Sequence, residues 1–283
     1  MMHPEAGGSL ASFARTPLQP VRGRQGATTR SLVVQWASCE EDVRQAQRLR
    51  YRVFAQEMGA CLTPPSGTEP GLDVDGFDPF CDHLLVKSVG PQGQEAAPVV
   101  GTYRLLAPDA ARRAGGLYID TEFDLAPLSL LRPQAVELGR SCVDPQWRSG
   151  GVIMALWAAL CRYMRQRQLQ TMIGCASVTL RDGGHCAQTL WHSLRHTHLV
   201  AAPWQVRPHT AFPLGRDDRA PASSGAPSTA NLMPPLVKGY LRCGARLLGP
   251  PALDAAFRTA DLPMMLRLDD LAPRYREHFM NGD

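Results

Sequence analysis

Glu137 and Arg140 stand inside the run AVELGRSCV (135–143), whose other side chains are apolar or small. A carboxylate in such a run is costly to bury unless it is paired or used. Two uses fit: a buried Glu–Arg ion pair, or a carboxyl whose pKa rises in a desolvated cleft until it serves as a general base. On a regular strand Glu137 and Gly139 share one face and Leu138 and Arg140 the other, unless a bulge intervenes. Just downstream, Arg148-Ser149-Gly150-Gly151 opens an apolar-periodic segment. Glycines at a helix N-terminus let backbone N–H groups approach an anion, and the helix dipole favours phosphate there. A tight strand-to-helix turn would also use two glycines, so the motif alone does not decide. No Gly-Lys-Ser/Thr follows, which excludes a P-loop, and no G-x-G-x-x-G is present, which excludes a dinucleotide fingerprint.

A second constellation pairs Arg50, Arg52 and Phe54 with Asp73, Asp75 and Asp78. Acidic loops of this kind bind amines and amino acids; the EF-hand spacing and its closing Glu are missing, so calcium is not favoured. His192, His196 and His198 near Cys186 lack an H-E-x-x-H pattern and read as surface or packing residues, so no metal is expected. The eight Cys are never closer than eleven residues, which argues against a zinc ribbon and for reduced thiols. Cys142 follows the Glu/Arg run, but a lone Cys is more often a small core residue than a nucleophile.

These residues must be held by a mixed set of elements. The expected strands are 31–36, 83–89, 99–106, 135–143, 171–178, 199–206 and 264–268. The expected helices are 39–58, stopped by Gly59, then 151–168, 185–197 and 236–248, with a helix or turn at 271–279. Residues 62–81 form a long Pro/Gly/Asp-rich loop, and 116–131 are mixed. The order predicts an α/β (α+β) fold: antiparallel strands first, then a strand–helix–strand crossover, giving a mixed, mostly antiparallel central sheet flanked by helices. A basic N-terminal arm (1–30) precedes one domain (31–283), which carries a mobile insert near 215–230 and a C-terminal extension, 232–283. Of the 283 residues, 30 are Lys or Arg and 26 are Asp or Glu, for a net charge of +4. The arm holds Arg15, Arg22, Arg24 and Arg30 against Glu5, which leaves the body near neutral and argues against a nucleic-acid-binding face. No apolar run is long enough to span a membrane and no signal peptide is evident, so a cytoplasmic protein is expected.

The pieces together resemble the bacterial L-ornithine Nα-acyltransferases of the GCN5-related acetyltransferase superfamily. The resemblance lies in LRYRVFAQEMGA (49–60), DGFDPFCDHLLV (75–86), VVGTYRLL (99–106), YIDTEFDL (118–125), ELGRSCVDPQWRSGGVIMALW (137–157), IGCASV (173–178) and the long C-terminal stretch 233–279. A more distant similarity is to acyl-homoserine-lactone synthases, whose pattern matches Arg50 with Phe54, Asp75 with Asp78, Arg104, and Glu137 with Arg140. The chain departs from those synthases in its C-terminal half and lacks their Trp after the Phe, so lactone formation is kept only as an alternative, beside an acetyl-CoA-dependent small-amine acetyltransferase and a non-enzymatic acyl-carrier-protein-binding module.

The first resemblance implies transfer of a 3-hydroxyacyl group from the phosphopantetheine of acyl carrier protein to the α-amine of L-ornithine, with no permanent cofactor. Glu137 would be the catalytic base. Arg50, Phe54, Asp75, Asp78, Arg104 and Arg140 would bind substrate, and Val143, Arg148, Ser149, Gly150 and Gly151 the acyl-phosphopantetheine. A separate O-acyltransferase would act next. The lipid product would place the enzyme at the inner membrane face; Lys238, Arg242 and Arg246 would form a basic stripe either toward anionic lipid or as the outer face of a helix packed on the domain, the latter slightly favoured.

Overall fold

The computed structural model describes residues 31–89, 98–148, 150–215 and 233–280. The arm 1–30, most of the insert near 215–230 and Ser149 lie outside these described residues. The described residues form ten strands: β1 (Ser31–Trp36), β2 (Asp82–Val89), β3 (Val99–Leu106), β4 (Phe123–Asp124), β5 (Ala135–Val143), β6 (Thr171–Thr179), β7 (Arg207–Pro208), β8 (Arg246–Leu247), β9 (Ala252–Asp254) and β10 (Thr259–Arg267). The helices are α1 (Glu40–Tyr51), α2 (Pro108–Ala114), α3 (Gly151–Gln166), α4 (His185–Leu194), α5 (Pro235–Cys243) and α6 (Pro273–Met280). The main sheet runs β1-β2-β3-β5-β6-β10-β8, with β9 on β10; all its pairs are antiparallel except β5 with β6. The expected mixed, mostly antiparallel sheet is therefore present, and α3 is the crossover that its parallel pair requires.

Alternation along β2 explains the two layers. Leu84 and Val86 point to a cluster with Leu156, Leu160 and Met164 of α3, whereas Leu85 points to Ala46, Leu49, Val53 and Phe54 of the α1 segment. α1 opens on Glu40, Glu41 and Asp42, which suit its positive end, and continues as a π-helix over Arg52–Glu57 until Gly59, at φ +78°.

Two irregularities open the sheet. Thr102 pairs with Cys142 and Arg104 with Gly139, so Tyr103 faces two residues of β5, Arg140 and Ser141. This β-bulge holds Arg140 at φ +50°. Next to it, β5 and β6 are paired only through Ala135–Glu137 and Thr171–Ile173, after which they part. A Cβ on Gly174 would lie 2.2 Å from the Leu138 carbonyl oxygen, so glycine is required where the two strands still touch.

Three expectations need correction. Residues 199–206 are not a strand: Leu199 makes one bridge to Leu247, and Pro203 starts a 3-10 turn at Ala202–Trp204. The helix expected over 236–248 ends at Cys243, because Gly244 turns left-handed at φ +109° against Asp270, so Arg246 lies on β8. The last strand starts at Thr259, not 264, and runs through Pro263. The Pro263 carbonyl accepts from Leu248 N–H on the short β8 side, so the N–H that proline lacks is missing from that side and the β6 ladder is intact.

Candidate active site

The parted edges of β5 and β6 form one wall of a cleft of about 730 Å³, closed by Phe54, α5 and the Asp254–Asp261 segment. Of the residues singled out in the sequence, Phe54, Arg104, Glu137, Arg140, Val143, Arg148 and Gly150 line it. Arg50, Asp75, Asp78 and Gly151 do not.

Glu137 is 5% exposed, and its two carboxylate oxygens accept the N–H groups of Tyr118 and Ile119, each at 2.7 Å. Burial pushes its pKa up, the two amides and Arg104 pull it back, and the balance stands at about 7. A carboxyl tuned to that value, bordering a cleft, suits proton transfer near neutral pH. The same hydrogen bonds tie β5 to the 118–121 turn, so Glu137 also has a structural duty.

Arg50, Arg104 and Arg140 face Asp73, Asp75 and Asp78 in a charge-balanced network behind the cleft. Arg50 is 0% exposed; its Nε donates to Asp73 at 2.8 Å and its two terminal nitrogens to Asp78 at 3.1 and 2.7 Å. Arg104 Nη1 donates to Asp75 at 2.6 Å and to Asp78 at 2.8 Å. Gln47 completes the shell of Asp78 at 2.9 Å. Burial alone would raise the Asp78 pKa, but the Arg50 and Arg104 guanidinium groups outweigh it and hold the carboxyl well below the usual carboxylate range. Arg140 pairs with Asp75 at 3.0 Å and stacks between Tyr118 and Phe257, 4.9 and 4.6 Å from the ring centroids. Arg50, Asp75 and Asp78, expected to bind substrate, thus stand outside the cleft lining, bonded to one another and to Arg104 and Arg140, which do line it.

The turn before α3 is also tied down. Arg148 is bidentate to Glu57 at 2.6 and 2.7 Å, and its Nε donates to the Val143 carbonyl at 3.0 Å. Its charge is therefore shared with a carboxylate, and the bare N-terminal amides of α3 remain the anion-attracting element, since Gly150 offers no side-chain cap. Asp144 N–H donates to Val100 of β3, so strand alternation turns the Val143 N–H toward the open edge. Lys238 and Arg242 also border the cleft, which gives the basic stripe on α5 a cleft-facing part beside the two readings the sequence offered, a lipid contact or a basic outer face.

The sequence reading missed the opposite wall. Asp254 and Asp261 border the cleft, and the ligand atoms of Asp261, Cys175 and Glu122 lie within 4.8 Å of one another. Burial, then the neighbouring carboxylates, pushes Glu122 up; burial also raises Asp261, against a hydrogen bond from Thr259 at 2.8 Å. The Cys175 thiol is driven well above its ordinary value by burial and stays protonated at neutral pH, which makes the trio a weak metal donor set. No spacing signal marks this wall, because its residues come from three separated segments. Cys142 is buried with its pKa pushed up to about 12, which removes it as a nucleophile.

A family model described as an acetyltransferase (GNAT) domain matches residues 49–158. The chain is 37% identical over 275 residues to an L-ornithine N(alpha)-acyltransferase of Brucella abortus (strain 2308), covering 95% of this chain and 94% of that protein. It is 33% identical over 254 residues to one of Rhizobium meliloti (strain 1021), covering 88% and 84%. Among solved structures, the AHL synthase LasI aligns over 90% of this chain and 97% of its own at 14% identity, with a TM-score of 0.47.

Proposed function

The chain belongs to the L-ornithine N(alpha)-acyltransferase family, and on that premise we propose that it moves a 3-hydroxyacyl group from acyl carrier protein to the α-amine of L-ornithine. The observation that carries this reading is the division of charge in one cleft: Glu137 and the open β5 edge on one wall, Asp254 and Asp261 on the other. Ornithine brings one amine to acylate and a second that stays cationic. Asp261 and Asp254 hold the side-chain ammonium, and Arg140 meets the carboxylate. Glu137, directly or through water, takes a proton from the α-ammonium. The freed nitrogen lone pair attacks the thioester carbonyl carbon and forms the C–N bond. The oxyanion so formed is met by the Val143 N–H. Collapse breaks the C–S bond; the nitrogen gives up a second proton, the phosphopantetheine sulfur takes it and leaves as a thiol, and Glu137 returns the first proton to water.

On the donor side, the N-terminal amides of α3 with Arg148, Lys238 and Arg242 suit the single phosphate of phosphopantetheine and an acidic carrier. No helix among the described residues is long and apolar enough to cross a membrane. A single-chain lipid product fits peripheral work at the inner membrane face, followed by a separate O-acyltransferase. Competition between acyl carrier protein and coenzyme A thioesters of one acyl group tests the donor: preference for the carrier-bound form supports the reading, and equal or better use of the coenzyme A form contradicts it.

A further inference from the structure

Beside the cleft, a narrow crevice of about 60 Å³ runs between α3, β6 and β10. It shares Tyr103, Leu138, Trp157, Cys175 and Tyr240 with the cleft, so the two adjoin across these side chains. Its remaining wall is carbon and sulfur: Leu160, Met172, Ile173, Met264 and Leu266 are typical. Among its lining residues, only Tyr103 and Tyr240 carry hydroxyl groups. The two phenols are hydrogen-bonded to each other, and the Ser141 hydroxyl on the β5 bulge interacts with both.

This polar spot is held firmly. Tyr103 is 2% exposed and sits opposite the bulge. Tyr240 stacks on Trp157 with ring centroids 5.7 Å apart and 22° between planes. A Cβ on Gly239 would lie 2.5 Å from the Trp157 ring, so α5 is pressed against that indole. Burial keeps both phenols protonated and able to donate. A purely hydrocarbon chain passing from cleft to crevice gains nothing from hydroxyl groups there, and burying them has a cost.

Their position fits an oxygen near the start of the chain. Ser141 stands two residues from Val143, about 6–7 Å along a strand. The oxygen on the second carbon beyond a thioester carbonyl lies roughly 4 Å from that carbonyl carbon. A hydrogen bond of about 2.8 Å spans the rest.

We propose that Tyr103 and Tyr240, with Ser141, form the subsite for a hydroxyl group carried by the acyl chain close to its thioester, and that this pair selects hydroxylated over unsubstituted donors. The inference rests on the reading of the cleft as the acyl-donor site. In the bound state each phenol can exchange its partner phenol for the substrate hydroxyl, one donating and one accepting.

The experiment compares two donors of equal chain length on the same carrier protein, one 3-hydroxylated and one unsubstituted, with wild type, Tyr240→Phe and Tyr103→Phe. The quantity read is the ratio of their kcat/KM values at saturating ornithine, with circular dichroism melting to confirm each fold. Wild type should prefer the hydroxylated donor by about tenfold or more, and each Phe variant should bring the ratio to within about threefold of unity. A wild-type preference that survives in both variants overturns the subsite and leaves the donor reading standing. Equal loss with both donors, the ratio unchanged, also overturns it and points to a role on the leaving thiol or in packing. No preference in wild type refutes the 3-hydroxyacyl reading itself, and the subsite with it.

Discussion

Asp78→Asn separates scaffold from substrate contact. The Asp78 carboxylate accepts four hydrogen bonds, from Gln47, from two nitrogens of Arg50 and from Arg104, and is 5% exposed. Three arginines and three aspartates balance in that network, so removing one carboxylate leaves an unpaired positive charge among buried groups. The new amide can accept at one position only and turns donors toward an arginine at the other. Breaking a buried pair from one side costs about 3–5 kcal/mol, a large part of the 5–15 kcal/mol typical of a domain. With a urea m-value of about 2–3 kcal/mol/M, the midpoint should fall by roughly 1–2 M. Urea unfolding followed by tryptophan fluorescence reads this, and ornithine KM is measured on the folded protein. Scaffolding predicts the midpoint loss with KM within about threefold of wild type. An unchanged midpoint with a large rise in KM would refute the reasoning and restore Asp78 as a direct contact. The acid limb has a matching sign. A carboxylate whose folded pKa is depressed stabilises fully above its unfolded value, 3.8, and that stability drains as pH falls below it, so the wild-type network should loosen only under strong acid.

Other outcomes follow from the same geometry. Because Glu137 must be ionised to accept a proton and stands at about 7, kcat/KM should rise about tenfold per pH unit below 7 and level above it; a profile flat from pH 5 to 8 would remove it as the base. Its raised pKa also means that stability present below 4.5 is lost as pH climbs toward 7, about 3 kcal/mol in order of magnitude. Glu137→Gln relieves that cost but leaves the Tyr118 or Ile119 amide unpaired, about 1–3 kcal/mol, so its melting point at pH 8 should sit close to wild type while activity is lost. Asp261→Asn should raise ornithine KM about 10- to 100-fold with equal or greater thermal stability at pH 8, since it removes a carboxylate whose ionisation burial opposes; unchanged KM would clear the acidic wall of substrate binding. Gly174→Ala forces a Cβ to 2.2 Å from the Leu138 oxygen and should destabilise by about 2 kcal/mol or more in urea unfolding.

Much of this arrangement was legible because it is local. The Glu137 run, the glycine turn and the α3 periodicity all lie within residues 135–166, and the strand–helix–strand order followed from them. The bulge was foreseen only as an option, since nothing in AVELGRSCV marks Arg140 for a left-handed φ. The ion pairs of Asp75 and Asp78 were not foreseen, because spacing along a loop does not reveal that three arginines from α1, β3 and β5 converge on it. The acidic wall and the tyrosine pair were invisible for the same reason: Glu122, Cys175 and Asp261, like Tyr103 and Tyr240, meet only through sheet and helix packing. Two signals were available but unused. Pro108 with Gly115 brackets α2, and Gly244 caps α5. Pro263 hid half of β10, since a proline ordinarily argues against a central strand.

The most direct measurement is mass spectrometry of products from the purified chain, 3-hydroxyacyl carrier protein and a pool of free amino acids. The account predicts one new amide, 3-hydroxyacyl-ornithine acylated on its α-nitrogen, absent with Glu137→Gln and depleted with Asp261→Asn at limiting ornithine. A product on a neutral amino acid in preference to ornithine, or turnover confined to acetyl-coenzyme A, would contradict it.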